Sequence, residues 1–396
     1  MRFLFPAQSY FRNKRVMVRV DFNVDSAHGK IIDDFRIQQT LPTIRAIQSQ
    51  AKYVLLISHR GSFEKPCDDT LTLRPVARHL ARLLRRTVFF FDGPLGSFGL
   101  LNTRIPKHAV VLLENIRHYR GERENSKQLA QQLAQHADCF INDAFGESHR
   151  KEASLVAITK LLPSFAGPLV QNEIAHLEAL KANPAQPFVV ILGGVKLKTK
   201  LPLIKDFVKS AKYILVGGGV ANTLLQAQGL RIGNSVCDTE FMEQAKKLLR
   251  CQKIVMPIDW VIADAKKQKV IKTIATYVPN GYAIYDIGPK TRKLYASYIH
   301  KARTIFWNGT MGYIEKRMFG RGTQAVQQAV LLNKMARTVV GGGDTTPFLR
   351  KGNPKSKIQN PKLFISTGGG AMLAYVAGKK LPGIEALKNN KTAKQK

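Results

Sequence analysis

The chain has 396 residues, of which 44% are hydrophobic and 22% charged, a composition that excludes a disordered or fibrous protein. It carries 62 lysines and arginines against 27 aspartates and glutamates, a formal net charge of +35, so it attracts anions. No apolar run reaches the roughly 18–20 residues that cross a bilayer, and polar residues interrupt the N-terminus before a signal-peptide core could form. These features predict a cytoplasmic protein with no membrane partner.

Short apolar runs of strand length recur along the chain. Those before about residue 150 are RVMVRVDF, KYVLLIS, TVFFF, HAVVLLEN and DCFIND. Those after about residue 185 are PFVVILGG, KYILVGGG, IVMPIDW, TIFWNG, TVVGGGD and LFISTGGG. Stretches with helical spacing, such as LRPVARHLARLLRR, SKQLAQQLAQHA and TEFMEQAKKLLRCQ, lie between many of them. Continuous apolar strands that alternate with helices predict an α/β fold with parallel sheets flanked by helices.

The two groups of strands differ in the residues that follow them, which are charged or hydrogen-bonding in the first group and mostly glycines in the second. Between the groups lies AGPLVQNEIAHLEALKANPAQP, a helical pattern that ends in Asn-Pro and Gln-Pro. Two domains also suit the length, since one core usually stops growing at roughly 250–300 residues. We therefore predict an N-terminal domain over residues 1–170, a hinge helix over 171–185 and a C-terminal domain over 186–375.

Polar residues with anion-binding chemistry follow the strands of the first half. They are Asp21 and Asn23 of RVDFNV, Arg36 of DDFRI, His59 and Arg60 of ISHRGS, Arg117 of LLENIRHYRGE, and His149 and Arg150 of NDAFGESHRKEAS. The planar fork of arginine matches phosphate and carboxylate oxygens two at a time. Several forks at one sheet edge predict a pocket for a small, highly anionic molecule, although each arginine alone could form a surface salt bridge.

Glycine clusters follow four strands of the second half, in ILGGVKLKTK, LVGGGVANTL, VVGGGDTTPF and ISTGGGAMLAY. Glycine lets the backbone approach a phosphate closely, and the amides at the following helix start provide free donors. No cluster fits G-x-G-x-x-G, since positions 222, 346 and 373 are Asn, Thr and Leu, and no Walker sequence occurs. The pattern disfavours a dinucleotide oxidoreductase or a Walker-type ATPase and predicts another kind of nucleotide-phosphate site.

Charged residues beside these glycines suit a phosphoryl group and its metal. Asp344 follows a glycine triplet, where it could cap a helix or bind Mg²⁺, which takes one or two carboxylates together with phosphate oxygens. Lys196 and Lys200 are four residues apart and would share one face of a helix that begins there. They could contact a transferring phosphoryl group or form a solvated lysine face.

The ordered motifs RVDFNV, SHRG, LLENIR, NDAFGESHR, GGVKLKTK, VGGGVANT, WNGTMG, VVGGGDT and STGGGA give the chain a resemblance to the phosphoglycerate kinase family over essentially its whole length. The resemblance implies two Rossmann-like domains around a cleft, with a C-terminal segment, residues 376–396, that returns to the N-terminal domain. It also implies phosphoryl transfer from 1,3-bisphosphoglycerate to MgADP, which gives 3-phosphoglycerate and ATP in glycolysis, by a monomer.

On the N-terminal domain the resemblance implies a substrate site. Asp21 and Asn23 would orient the glycerate hydroxyl, and Arg36 would face the reacting carboxyl. The remote phosphate would be bound by His59, Arg117 and Arg150, next to Arg60, Gly61 and Ser62. The family has an arginine where this chain has Ser62, and Arg60 could replace it.

On the C-terminal domain the resemblance implies a nucleotide site with catalytic groups. Lys200, with Lys196, would contact the nucleotide phosphates and the transferred group, Glu315 the ribose, and Asp344 the Mg²⁺. Asn308 would lie beside the phosphates. The amides that would surround the developing charge belong to Gly342, Gly343, Thr345, Gly369 and Gly370.

No convincing general base is found, which suits a carboxylate acceptor, because such a group is already ionised at neutral pH. Val195 and Thr310 depart from the family pattern and put rate and nucleotide affinity in question. The alternative is a catalytically weakened member of the fold that binds polyanions through its basic charge. Nucleic acid is not expected as a partner, because the basic residues are spread along the chain except in the final KNNKTAKQK.

Overall fold

The computed structural model describes residues 5–61, 71–101, 105–264, 272–351, 360–388 and 390. The chain folds into two compact units. The first unit comprises Met1–Ala175, Gly370–Tyr375 and Lys379–Lys396, and the second comprises His176–Gly369 and Val376–Gly378. The boundary near residue 175 falls inside a helix, Pro168–Ala182.

The first unit is built on a six-stranded parallel sheet. Its strands in chain order are β1 (Arg15–Arg19), β4 (Tyr53–Ile57), β5 (Val88–Phe91), β6 (Ala109–Leu113), β7 (Cys139–Asn142) and β8 (Ser164–Ala166), and a small antiparallel ribbon pairs β2 (Ser26–Ala27) with β3 (Lys30–Ile31). The spatial order is β5–β6–β4–β1–β7–β8. Val16 and Val18 of β1 pack into one apolar cluster and Met17 into another, so this central strand is covered on both faces.

Helices flank this sheet. They are α1 (Phe35–Gln48), α2 (Arg74–Leu84), α3 (Leu95–Leu101), α4 (Lys127–Ala134) and the start of α5 (Pro168–Ala182), with 3₁₀ turns at Gln8–Phe11, Ile116–His118, Arg120–Glu122, Phe145–Glu147 and Ala157–Lys160. The C-terminal segment also packs on this unit, since the amide of Gly383 donates to the Ser148 carbonyl at 2.9 Å. Asn390 Nδ2 donates to the Thr159 carbonyl at 2.6 Å.

The second unit has its own six-stranded parallel sheet. Its strands are β9 (Phe188–Leu192), β10 (Tyr213–Val216), β11 (Ile254–Val255), β15 (Thr304–Asn308), β16 (Arg337–Gly341) and β17 (Leu363–Ile365), in the order β11–β10–β9–β15–β16–β17. Its helices are α6 (Leu197–Phe207), α7 (Gly218–Ala227), α8 (Met242–Leu249), α9 (Pro289–Lys301), α10 (Arg321–Leu332) and α11 (Thr345–Lys351). Two further helices are α12 (Gly369–Val376), which spans a unit boundary, and α13 (Pro382–Lys388) in the first unit.

A second, antiparallel sheet in this unit was not predicted from the sequence. It consists of β12 (Trp260–Asp264), β13 (Lys272–Ile274) and β14 (Tyr282–Ile287), in the order β13–β12–β14. Short 3₁₀ turns occur at Thr239–Phe241 and Arg317–Phe319. The predicted α/β class with parallel sheets flanked by helices is confirmed.

Two smaller expectations concern membranes and cysteines. None of the helices in the described part of the chain combines the length and apolar character that a bilayer crossing requires. Cys139, Cys237 and Cys251 are free thiols, and Cys67 lies outside the described residues.

Candidate active site

The polar residues of the first unit lie at the carboxyl ends of β6, β4, β1 and β7, which are neighbours in the sheet. Arg36 of α1 approaches two of them, with Nη1 3.3 Å from both oxygens of Asp21 and 3.0 Å from the Asn23 carbonyl. Asn23 Oδ1 in turn accepts a hydrogen bond from the amide of Gly61 at 2.9 Å. Asp21, Asn23 and Arg36 are therefore joined with Gly61 in one hydrogen-bond network.

Gly61 connects this network to Arg117. Its carbonyl accepts from Arg117 Nη1 at 2.6 Å, and its φ of +72° is a conformation that suits glycine. A Cβ at Gly61 would also lie 2.6 Å from a methyl carbon of Leu71. The turn after β4 thus requires glycine for two independent reasons.

His59 is fully buried in the same cluster. Burial, followed by the charges of Arg19, Arg117, Arg36 and Arg150, lowers the pKa of His59 well below the usual value for histidine. The ring is neutral at pH 7, so its contact with Glu147 is not an ion pair. Arg19 Nη2 lies 3.4 Å from Nδ1 and can only donate, which leaves the ring proton on Nε2.

Glu147, a residue that the sequence did not single out, lies at the centre of the predicted arginines. Its Oε2 is 2.9 Å from Arg150 Nε, 3.0 Å from Arg117 Nη2 and 3.6 Å from His59 Nε2. Burial and the charge of Asp21 raise the pKa of Glu147 above the usual glutamate value, against the opposite effect of the arginines. In the sequence, glutamates flank the predicted histidine and arginine in ESHRKE, but this pattern alone does not show that they are buried.

A second row of buried charges supports this cluster. Arg117 Nη2 also donates to Glu152 at 3.1 Å, and Arg19 lies 3.8 Å from Glu152 and 4.0 Å from Glu122. Arg19 Nε donates to Ser154 Oγ at 2.8 Å. These contacts fix Arg117 by packing and hydrogen bonding before any ligand binds.

Arg60 is not directed to this cluster. Its guanidinium donates to the Thr72 carbonyl at 2.8 Å and to Ser26 Oγ at 2.5 Å, so both terminal nitrogens bind structural acceptors. Ser62, which the resemblance places beside the remote phosphate, lies outside the described residues. The geometry therefore gives no support to Arg60 as a replacement for a phosphate-binding arginine.

In the second unit, glycines bring three backbone segments close together after the strands end. A Cβ at Gly193 would lie 2.0 Å from the Thr310 carbonyl oxygen, and a Cβ at Gly219 would lie 2.0 Å from the Val195 carbonyl oxygen. Side chains at these positions would force the segments apart. The glycine clusters therefore allow close backbone approach, as the sequence predicted.

Lys200 on α6 is buried at this site, with 8% of its surface exposed. Its Nζ donates to Asn308 Oδ1 at the end of β15, and Asn308 Nδ2 donates to the Gly341 carbonyl at 2.6 Å. Burial lowers the pKa of Lys200 to about 8, and the charge of Asp344 only partly offsets this effect. The lysine is thus a poorly compensated cation.

Thr345 and Gly342 complete the loop after β16. Thr345 Oγ1 accepts from the amide of Gly309 at 2.8 Å. Gly342 has a φ of +131°, and a Cβ there would lie 2.9 Å from Asn308 Nδ2. Gly343 and Asp344 are exposed next to it, so a ligand can reach the tip of this loop.

A cavity of about 290 Å³ opens between the loop after β9, α7 and the antiparallel sheet. Its lining includes Gly194, Gly218, Glu315, Asp344 and Trp260. Glycine backbone, together with aromatic and aliphatic side chains, suits a ligand with a phosphate part and an apolar ring.

Asp344 fits Mg²⁺ only as part of a site that a ligand completes. Its carboxylate is exposed and close enough to Lys200 to raise that pKa. Among the described residues, no three His, Cys, Asp or Glu side chains group as ligands for one metal ion. A single carboxylate next to phosphate-cradling glycines is nevertheless the donor set that Mg²⁺ uses with nucleotides.

The remaining predicted residues are Lys196, Gly369 and Gly370. Lys196 caps the start of α6 and is exposed, so it does not share the buried environment of Lys200. Gly369 and Gly370 begin α12, and a Cβ at Gly370 would lie 3.8 Å from His149 Nε2, within the first unit.

Asp286 is a further acid that sequence reasoning missed. It is buried and accepts from the amides of Gly322 at 2.7 Å and Ile287 at 2.9 Å. Burial raises its pKa to about 7. Asp286 lines the cavity, and glycine is required at Gly312, where a Cβ would lie 2.4 Å from its carboxylate.

Comparisons with known proteins agree over nearly the whole length. The phosphoglycerate kinase family model matches residues 7–379. Phosphoglycerate kinases from Rubrobacter xylanophilus and Pelotomaculum thermopropionicum are 40% and 38% identical over 380 and 384 residues, which cover 95% of this chain and 96% of each relative.

Solved structures give the same result. Phosphoglycerate kinase from Coxiella burnetii superimposes with a TM-score of 0.82 at 34% identity, over 98% of this chain and 99% of that one. The enzyme from Pyrococcus horikoshii gives 0.85 at 31% identity, over 97% and 98%. The chain belongs to the phosphoglycerate kinase family and is a phosphotransferase whose acceptor is a carboxyl group.

Proposed function

We propose that the chain carries out reversible phosphoryl transfer from 1,3-bisphosphoglycerate to MgADP, with 3-phosphoglycerate and ATP as products. The observation that carries this proposal is Lys200, a buried cation with one amide partner beside glycine-lined backbone. A cation held there with little compensation is suited to the charge of a phosphoryl group in transfer.

The first unit would bind the phosphoglycerate. Arg117 and Arg150 would bind its remote phosphate with His59 as a neutral donor, and Arg36 would face the reacting carboxyl. Support comes from the buried partners of Arg117, which orient its fork in advance. Asp21 and Asn23 would orient the hydroxyl, while Gly61 positions the turn after β4.

The second unit would bind the nucleotide. Glu315 would bind the ribose, and Asn308 with the amides of Gly342, Gly343 and Thr345 would hold the phosphates. Asp344 would hold Mg²⁺, which supplies charge neutralisation between the phosphate oxygens when bound. Lys196, Gly369 and Gly370 complete the proposed set. Lys196 is exposed and Gly370 belongs to the first unit, so these are the least supported members.

Transfer would need no proton acceptor. The attacking group is a carboxylate with a pKa of about 3.5–4, so it is ionised at neutral pH. The chain's own residues would hold two anions in line and stabilise the charge that moves between them. His59 is neutral and enclosed by arginines, which suits hydrogen-bond donation rather than base catalysis.

Hinge motion within residues 171–185 would bring the two bound substrates together, and we propose that the chain does this as a cytoplasmic monomer. The division of the chain within α5 supports a hinge there. Sedimentation of the purified protein tests the oligomeric state.

A coupled assay that follows ATP consumption with 3-phosphoglycerate tests the proposal. Turnover in the usual enzyme range of about 1–1,000 per second is expected. No turnover, together with tight and steeply salt-dependent binding of nucleic acid, would instead favour the polyanion-binding alternative, which the family match over most of the chain does not favour.

A further inference from the structure

The centre of the anion-binding cluster is occupied by a side chain of the protein itself. Glu147 Oε2 lies 2.9 Å from Arg150 Nε, 3.0 Å from Arg117 Nη2 and 3.6 Å from His59 Nε2. These three partners are the residues that the proposed function assigns to the remote phosphate. One carboxylate oxygen therefore contacts the groups that the substrate would use.

The carboxylate satisfies these groups only in part. His59 Nε2 and Arg117 Nε are buried without a hydrogen-bond partner in the structure. Unpaired buried donors are costly, and a phosphate offers three oxygens where Glu147 supplies one. The subsite thus retains hydrogen-bonding capacity for a larger anion.

Acids of the protein offset part of the positive charge of the cluster before any ligand binds. Four arginines lie among four acids, of which burial raises the pKa of Glu122 to about 7, and these residues are Arg19, Arg36, Arg117 and Arg150 with Asp21, Glu122, Glu147 and Glu152. A subsite for a doubly charged phosphate attracts it more strongly with an excess of cations. Glu147 is the acid that removes this excess at Arg117 and Arg150 together.

We propose that Glu147 is an internal anion which occupies the remote-phosphate subsite, and that the phosphorylated substrate must displace it. This inference rests on the proposed function. Glu147 ends the 3₁₀ turn Phe145–Glu147, and its partner Arg150 has 47% of its side chain exposed, so the carboxylate has a route towards solvent. The apparent affinity for the substrate is then the intrinsic affinity multiplied by the fraction of molecules in which the subsite is free.

The variant Glu147→Gln tests this directly, because it keeps the shape of the side chain and removes the charge. We expect the KM for 3-phosphoglycerate to fall roughly tenfold, with kcat changed by less than about twofold. Glu124→Gln is the matched control, since Glu124 is exposed, pairs only with Arg120 in the described contacts, and carries the same charge. An unchanged or higher KM in Glu147→Gln would refute the internal anion and make Glu147 a residue that positions the arginines.

Binding of inorganic phosphate gives a second readout that does not depend on catalysis. Thermal unfolding of the full chain, measured with and without phosphate, reports affinity through the rise in Tm that a ligand of the native state produces. We expect a larger rise for Glu147→Gln than for the wild type and Glu124→Gln, even if the variant starts from a lower Tm. An equal or smaller rise in Tm for Glu147→Gln contradicts the inference. A larger rise for this variant, combined with no turnover by the wild type, would refute the proposed function but not the internal anion.

Discussion

Lys200 should take up a proton when the nucleotide binds, because its pKa of about 8 in the free protein is held down by burial. Phosphate oxygens placed beside Nζ favour the charged form and return the pKa towards its ordinary value of roughly 10.4 or above. The variant Lys200→Met tests this, because it removes the ammonium and keeps much of the side-chain volume. Lys198→Met, two residues earlier on the exposed side of α6, is the control.

The number of protons that Lys200 takes up follows from its pKa values in the free and the bound protein. With a free-state pKa of about 8, roughly a tenth of the lysines are neutral at pH 7, half at pH 8 and nine-tenths at pH 9. Binding of the nucleotide should therefore take up about 0.1, 0.5 and 0.9 proton at these pH values. The apparent affinity should fall about tenfold between pH 7 and pH 9, since proton uptake and pH dependence are linked.

Titration calorimetry with MgADP in buffers of different ionisation enthalpy measures this uptake. The wild type and Lys198→Met should show uptake that grows from pH 7 to pH 9, and Lys200→Met should show none of that growth. Uptake that persists in Lys200→Met, or is absent from the wild type, would refute the assignment of Lys200 to the nucleotide phosphates.

Three other predictions concern stability. Gly219→Ala should lower the free energy of unfolding by roughly 1–3 kcal/mol and weaken MgADP binding, because its Cβ would lie 2.0 Å from a carbonyl oxygen. The exposed control Gly96→Ala has open space for its Cβ and should change neither quantity, and chemical denaturation compares the stability of the two variants. Arg60→Ala should lower Tm but leave the KM for 3-phosphoglycerate nearly unchanged, since its guanidinium binds Thr72 and Ser26, and a large KM increase would contradict this. The pKa of Asp286 is raised to about 7, so between about pH 4 and 7 the native state binds more protons than the unfolded state, and this carboxyl makes stability fall as the pH rises. Asp286→Asn should flatten this fall in unfolding experiments, and a pH profile identical to that of the wild type would contradict the prediction.

The sequence predicted the parallel sheets well because β4, β6 and β9 are continuous apolar runs that are buried along their whole length. It did not predict the antiparallel sheet, since WVIAD and YAIYDI pair directly in space but are separated in the sequence by β13 rather than by a tight turn. Local patterns identify strands, whereas the pairing of distant strands depends on tertiary packing.

For the site, the motifs identified the arginines and glycines but not their partners. Glu147, Glu152 and Asp286 read as ordinary surface acids in sequence, and only the fold reveals that they are buried beside cations or backbone amides. Arg60 shows the converse, because its sequence position next to His59 suggested a phosphate ligand while its guanidinium binds loop acceptors. Side-chain direction was the missing information in each case.

In the proposed mechanism, phosphoryl transfer needs charge stabilisation and alignment but no proton acceptor. Single-turnover transfer from ATP to 3-phosphoglycerate, measured in H₂O and D₂O at several pH values between about 6 and 7, tests it most directly, since the acceptor carboxylate is already ionised in that range. We expect equal rate constants in the two solvents and no dependence on pH at saturating substrate. A large normal isotope effect, with a rate that rises as one group loses its proton, would contradict it.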